Sequence, residues 1–169
     1  MKTYIAFLVA FLLASCAVMQ PPTAVNIKPM LANELLEKPF GHSESIKDFK
    51  NNMPSGTKVQ KLIRRNPRPN HRPDTIYNFM YKKSKWSVYK TQFNQEFVLG
   101  GVIRNPKVEL ANGIQIGMTK SKFIESIMDL TSDERDTVVI KHPKTNRTFN
   151  FYFDKNSRLQ RFTFTGNNP

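Results

Sequence analysis

Two stretches of this chain carry nearly the same pattern. Tyr77-Asn78-Phe79-Met80-Tyr81-Lys82-Lys83 lies on Phe149-Asn150-Phe151-Tyr152-Phe153-Asp154-Lys155 at a constant offset of 72, aromatic on aromatic and asparagine on asparagine. Successive strand side chains point to opposite faces, so large apolar groups at every second position fit a strand with one side against a core. After one gap, Trp86 and Tyr89 fall on Leu159 and Phe162. Chance alternation of aromatics would mimic part of this match; agreement of helix, turn and strand order around it favours an internal duplication.

In the later copy, Thr119 is a good N-cap for a helix whose apolar stripe is Phe123, Ile124, Ile127 and Leu130. Three strands are expected after it, Thr137 to Lys141, Arg147 to Phe153 and Arg158 to Thr165, with turns at Lys144-Thr145-Asn146 and Asp154-Lys155-Asn156-Ser157. The earlier copy has the same order. Ser43 or Ser45 opens a short helix through Ile46 and Phe49, and strands follow at Lys58 to Ile63, Thr75 to Tyr81 and Lys85 to Thr91. Gln95 to Ile103 and Val108 to Ile116 are further strand candidates, with Gly100-Gly101 and Asn112-Gly113 as bends. The expected fold is therefore α+β, two tandem units each of a helix and an antiparallel meander, at residues 39–110 and 111–169.

The N-terminus is of another kind. Eleven apolar residues, Tyr4 to Ala14, follow Lys2 and run into Leu13-Ala14-Ser15-Cys16, which holds the only cysteine. The run is far below the roughly 20 residues that span a bilayer, so residues 1–15 fit a signal peptide. Leu13-Ala14-Ser15-Cys16 resembles the lipobox of bacterial lipoproteins, which implies cleavage before Cys16 and lipid on its sulfur and amine. Several acyl chains at about 0.8 kcal/mol per buried methylene make a lasting anchor. An ordinary secretory signal with Cys16 a bystander is the alternative; a secreted domain with disulfides would show an even set of cysteines, which this chain lacks. Pro21, Pro22 and Pro29 mark residues 16–38 as a flexible tether. No Asp follows Cys16 and no acidic cluster stands near it. By lipoprotein sorting rules, both features imply the periplasmic face of an outer membrane.

Removal of residues 1–15 leaves 154 residues with 25 Lys and Arg against 13 Asp and Glu. Such a balance beside a membrane suits anionic lipid headgroups or an acidic protein face. The charge is densest from 58 to 90, where Lys58, Lys61, Arg64, Arg65, Arg68, Arg72, Lys82, Lys83, Lys85 and Lys90 face Asp74 alone. Arg64, Arg65, Arg68 and Arg72 share a proline-rich loop whose guanidinium groups could fork onto phosphates or carboxylates. A solvated hairpin tip and an anion or partner contact explain that loop equally well. Lys82, Lys83, Lys85 and Trp86 extend the candidate contact, with Trp86 expected as an exposed aromatic anchor. Aromatics interleaved with cations also raise nucleic acid, but the period of two on Tyr77, Phe79 and Tyr81 is better explained by core packing.

Gly113-Ile114-Gln115-Ile116-Gly117-Met118-Thr119-Lys120-Ser121-Lys122-Phe123, ahead of a meander, resembles the start of the BamE (SmpA/OmlA) fold. That family comprises small outer-membrane lipoproteins assisting barrel assembly, and its fold is similar to each half of β-lactamase inhibitor protein. The resemblance implies fold more than role. The chain departs from it in having two units, and its helix runs into Asp129-Leu130-Thr131 rather than a Gly-x-Pro signal.

Catalysis finds little support. His42, His71 and His142 are isolated, there is no Gly-x-Ser-x-Gly, and Asp129, Asp133, Glu134 and Asp136 lack the register of a calcium loop. The expectation is a non-catalytic binding or scaffold lipoprotein with no metal and no cofactor beyond the lipid on Cys16. Its partners would be the membrane, through the anchor, and an envelope protein or anionic headgroups, with neither nucleic acid nor a small-molecule substrate. The alternative is a periplasmic inhibitor or immunity protein for a hydrolase or toxin.

Overall fold

Seven strands lie among the described residues, and these join edge to edge. The computed structural model describes residues 28–64, 73–131 and 135–166. The signal peptide, Cys16, the start of the tether, Arg65, Arg68, Arg72, His71, Asp133 and Glu134 lie outside the described residues. The strands are β1 (Lys58–Arg64), β2 (Asp74–Tyr81), β3 (Ser84–Lys90), β4 (Glu96–Ile103), β5 (Thr137–Lys141), β6 (Thr148–Phe153) and β7 (Leu159–Thr165). They form one sheet in the order β1-β2-β3-β4-β7-β6-β5, antiparallel at every pairing. With the short helices α1 (Ala32–Glu37), α2 (Ile46–Asn52) and α3 (Lys120–Glu125), the fold is mixed α+β and dominated by strands. The described part of residues 39–110 and that of 111–169 meet within this sheet, where β4 pairs with β7.

One sheet face carries the core. Register places Val59, Phe79, Trp86, Gly101, Phe164, Phe149 and Ile140 in a single row across it. A neighbouring row holds Ile103, Phe162, Phe151 and Val138. Helices cover this side. Phe49 of α2 packs on Phe79 and Trp86, and Phe123 of α3 packs on Phe151 and Phe153, with ring centroids between 4.5 and 5.9 Å. Burying such rings contributes about 2–3 kcal/mol each in area terms.

Local chemistry sets the helix ends. The Ser45 hydroxyl caps α2 by accepting from the Asp48 N–H at 3.0 Å, and Thr119 caps α3. The stripe expected from Phe123 to Leu130 is cut short. Ser126 turns its hydroxyl back onto Phe123 O at 2.6 Å, and the next residues leave the helix to pair with Met30, whose N–H donates to Ser126 O and whose carbonyl accepts from the Met128 N–H. Ile127 is buried all the same.

That pairing corrects the tether. Residues 30–37, expected to be flexible, are part of the fold: Leu35 and Leu36 of α1 are fully buried, and the Asp129 carboxylate accepts from the Ala32 N–H at 2.8 Å. The stretch from Val108 to Ile116 is also corrected. It forms turns and a short 3-10 segment, Ala111–Gly113, while Val108, Leu110 and Ile114 bury their side chains. Apolar spacing there reflects burial without strand pairing. Gly100-Gly101, expected as a bend, lies inside β4 at a register shift opposite β3. With Phe79 laid on Phe151, register sets Trp86 on Phe162 and not on Leu159, because both aromatics sit directly opposite those two phenylalanines.

Candidate binding surface

The opposite sheet face has no helix packed on it among the described residues, and its rows follow from the same register. Leu62, Ile76, Tyr89 and Phe97 form one row. The next crosses all seven strands as Gln60, Asn78, Ser87, Gly100, Thr165, Thr148 and Lys141, and beyond it lie Lys58, Met80, Lys85, Val102, Thr163, Asn150 and Val139. Small polar side chains tie the strands together: the Ser87 hydroxyl donates to Asn78 Oδ1 at 2.6 Å, and Asn150 Nδ2 donates to Thr163 Oγ1 at 3.3 Å. The same asparagine-to-hydroxyl pairing thus occurs in both halves of the sheet. The face is half-buried, apolar toward the β1–β4 side, and basic. Lys58, Arg64, Lys85, Lys141 and Arg161 stand on it, with Asp74 the only carboxylate among its strand residues.

Asp74 opens β2 opposite Arg64. Its carboxylate accepts from the Gln92 N–H at 2.8 Å, which fastens the β3–β4 turn to β2. A hydrogen bond from the Tyr89 phenol to Asp74 raises the Tyr89 pKa, helped by some burial and by the negative charge of Asp74 and opposed by Arg64. Elsewhere on the face, the Arg161 guanidinium lies 4.1 Å from the Tyr152 ring centroid, a stacked cation–π pair.

Those of the basic residues expected to act together that are described are divided. Arg64 is exposed at one end of β1, while exposed Lys82 and Lys83 form the β2–β3 turn at the other end of the sheet. Lys85 is exposed and shares the open face with Lys58, the two flanking Met80. Trp86 must be removed from the set. It is 0% exposed, stacked on Phe79 with planes 7° apart, and faces the helices, because neighbouring strand residues point to opposite sides.

The sequence reading missed β1 as a surface. All seven of its residues are exposed, among them Val59 (39%), Leu62 (45%) and Ile63 (61%). The signal is the order Lys-Val-Gln-Lys-Leu-Ile-Arg, which gives neither face a continuous apolar row. It also missed the ion pair of Arg147 with Glu44, which links the start of β6 to the segment before α2. A cleft of about 520 Å³ lies between the Phe40–His42 turn and Lys107–Ala111. His42 there donates from Nδ1 to the neighbouring Ser43 carbonyl at 2.7 Å and stacks on Phe40. Among the described residues, no three His, Cys, Asp or Glu side chains come together as a metal-holding group, and no helix is long and apolar enough to cross a membrane.

Comparison with family models, curated proteins and solved structures finds no match to this chain.

Proposed function

We propose that the chain is a lipid-anchored, non-catalytic binding lipoprotein of the periplasmic side of a bacterial outer membrane, supporting an envelope protein complex. The observation that carries the reading is the one-sided sheet: helices cover one face, and the other presents apolar side chains among Lys58, Arg64, Lys85, Lys141 and Arg161 with a single carboxylate among its described strand residues. A broad open surface that mixes polar and apolar side chains suits a protein partner better than a small substrate, which needs an enclosed pocket.

The anchor rests on Leu13-Ala14-Ser15-Cys16 and the short apolar run before it. A BamE-like or β-lactamase-inhibitor-like arrangement of two duplicated units remains part of the proposal. Its support is the recurrence of Phe79 opposite Trp86 as Phe151 opposite Phe162, with Asn78–Ser87 and Asn150–Thr163 beside them.

Labelled palmitate fed to cells making the full chain should enter the protein, and Cys16→Ser should abolish the label and release the protein from membranes. Loss of neither would end the lipoprotein reading. Gentle crosslinking of the lipidated protein followed by mass spectrometry should then recover barrel proteins or assembly components. A single toxin or hydrolase in equal amount would make the protein an inhibitor instead.

A further inference from the structure

The edge of the sheet goes further than its face. β1 ends the strand order, so its outer edge is paired with no strand among the described residues. It is seven residues long, with an uninterrupted register against β2 and no proline. Such an edge presents unpaired N–H and C=O groups that another strand can complete. On the helix side of β1, beside Val59, is a pocket of about 180 Å³ between α2 and the strand, with Phe49, Met53 and Phe79 among its walls. Two residues along on that side is Lys61, opposite Tyr77. The ammonium groups of Lys61 and of Lys50 on α2 each lie 5.8 Å from the Tyr77 ring. Neither has a carboxylate within ion-pair distance among the described residues.

Charge selects the occupant. A second copy of β1 laid antiparallel and fully overlapped would set Lys61 against Lys61 and Lys58 against Arg64, and a parallel in-register copy would set every cation on itself. Like charges directly opposite each other destabilise a strand pair. The edge therefore rejects itself and favours carboxylates.

Resting on the binding reading above, we propose that β1 is a strand-addition site for an extended acidic segment of another protein. The added strand places an apolar side chain in the pocket beside Val59 and a carboxylate two residues along, between Lys50 and Lys61. Main-chain bonds along the edge supply affinity, and the alternate side chains supply selection.

The test uses the full-length chain in its own cells with a photoreactive benzophenone side chain at Gln60 or Leu62, and, for comparison, at Val102 in the middle of the open face or Val139 on the far edge. Adducts from Gln60 and Leu62 should map two residues apart within one Asp- or Glu-bearing segment of one protein. Lys61→Glu should cut their yield about tenfold while leaving the Trp86 emission of the purified chain unchanged. Adducts to a second copy, to lipid or to scattered sites, or indifference to Lys61→Glu, overturn strand addition. Capture of a protein from Val102 without any from β1 overturns it while leaving the binding reading intact. No protein captured from any position defeats both.

Discussion

Gly101 lies directly against Trp86: a methyl group added to it would sit 2.5 Å from the Trp86 Cβ and 2.6 Å from the Lys85 carbonyl oxygen. Both obstacles belong to the neighbouring strand, so the methyl has no flexible side-chain end to push aside. Gly101→Ala should destabilise the fold by about 1–3 kcal/mol, the usual range for overpacking. Trp86 is the only tryptophan and is fully buried, so its emission in a urea titration reads the loss. A midpoint equal to that of the parent would show that β3 and β4 can part at this point without penalty.

The Glu44–Arg147 pair makes a second prediction. Arg147 is 5% exposed, and its Nε finds no acceptor among the described residues, so Glu44 carries most of the compensation for a buried guanidinium. Glu44→Ala strands that charge and should cost about 3–5 kcal/mol, whereas the double change Glu44→Ala with Arg147→Met should recover most of the loss. Denaturation of the two variants side by side decides the matter. Equal losses would mean that the guanidinium is held by its packing on Phe149, 5.8 Å away, rather than by the carboxylate.

How far the chain could be read from its residues follows from which contacts are local. β5, β6 and β7 were legible because Val138, Ile140, Phe149, Phe151, Phe162 and Phe164 alternate and each is buried as alternation requires. Ser45 and Thr119 announced their helices through hydrogen bonds made within three residues. α1 was hidden for the opposite reason. Besides a local bond from the Leu31 N–H to Glu34, its first turn depends on Asp129, 97 residues away, and proline at 21, 22 and 29 masks the apolar pair Leu35 and Leu36. Trp86 was misjudged because its strand carries cations on the other face: Lys85 is exposed and Trp86 is not, a difference of one residue that composition cannot see. The binding surface was half legible, since charge marks it, but an unpaired edge depends on strand order, and strand order is set by contacts between β4 and β7 far apart in the chain.

Tyr89 predicts a pH dependence with a definite sign. Its pKa is raised above the ordinary phenol value of 10.0, first by the hydrogen bond to Asp74. The protonated phenol is therefore the form the fold favours, and the contribution is present below about pH 10 and lost as pH rises through the folded-state value. Phenolate absorbance should show one tyrosine ionising late, a component absent from Tyr89→Phe. Asp74→Asn should move it down while keeping an oxygen for the Gln92 N–H, and Arg64→Gln should move it further up, because that guanidinium opposes the shift. Shifts in the same direction from both variants would sink this account of the site.

The segment ahead of the first unit should behave as core and not as linker. Leu35 and Leu36 are 0% exposed, and the chain before them pairs on both sides of Met30 with Ser126 and Met128. Leu36→Ala should cost about 2–5 kcal/mol through lost burial and the cavity left behind. Asp129→Ala should cost about 1 kcal/mol by freeing the Ala32 N–H at the start of α1. Hydrogen exchange gives an independent readout, because the Met30 and Met128 amides should be protected in the parent and should exchange faster in Asp129→Ala, while those of β2 and β3 stay as they were. Exchange of the Met30 amide at the rate of an open chain in the parent itself would return residues 30–37 to the tether, and Leu36→Ala would then leave stability unchanged.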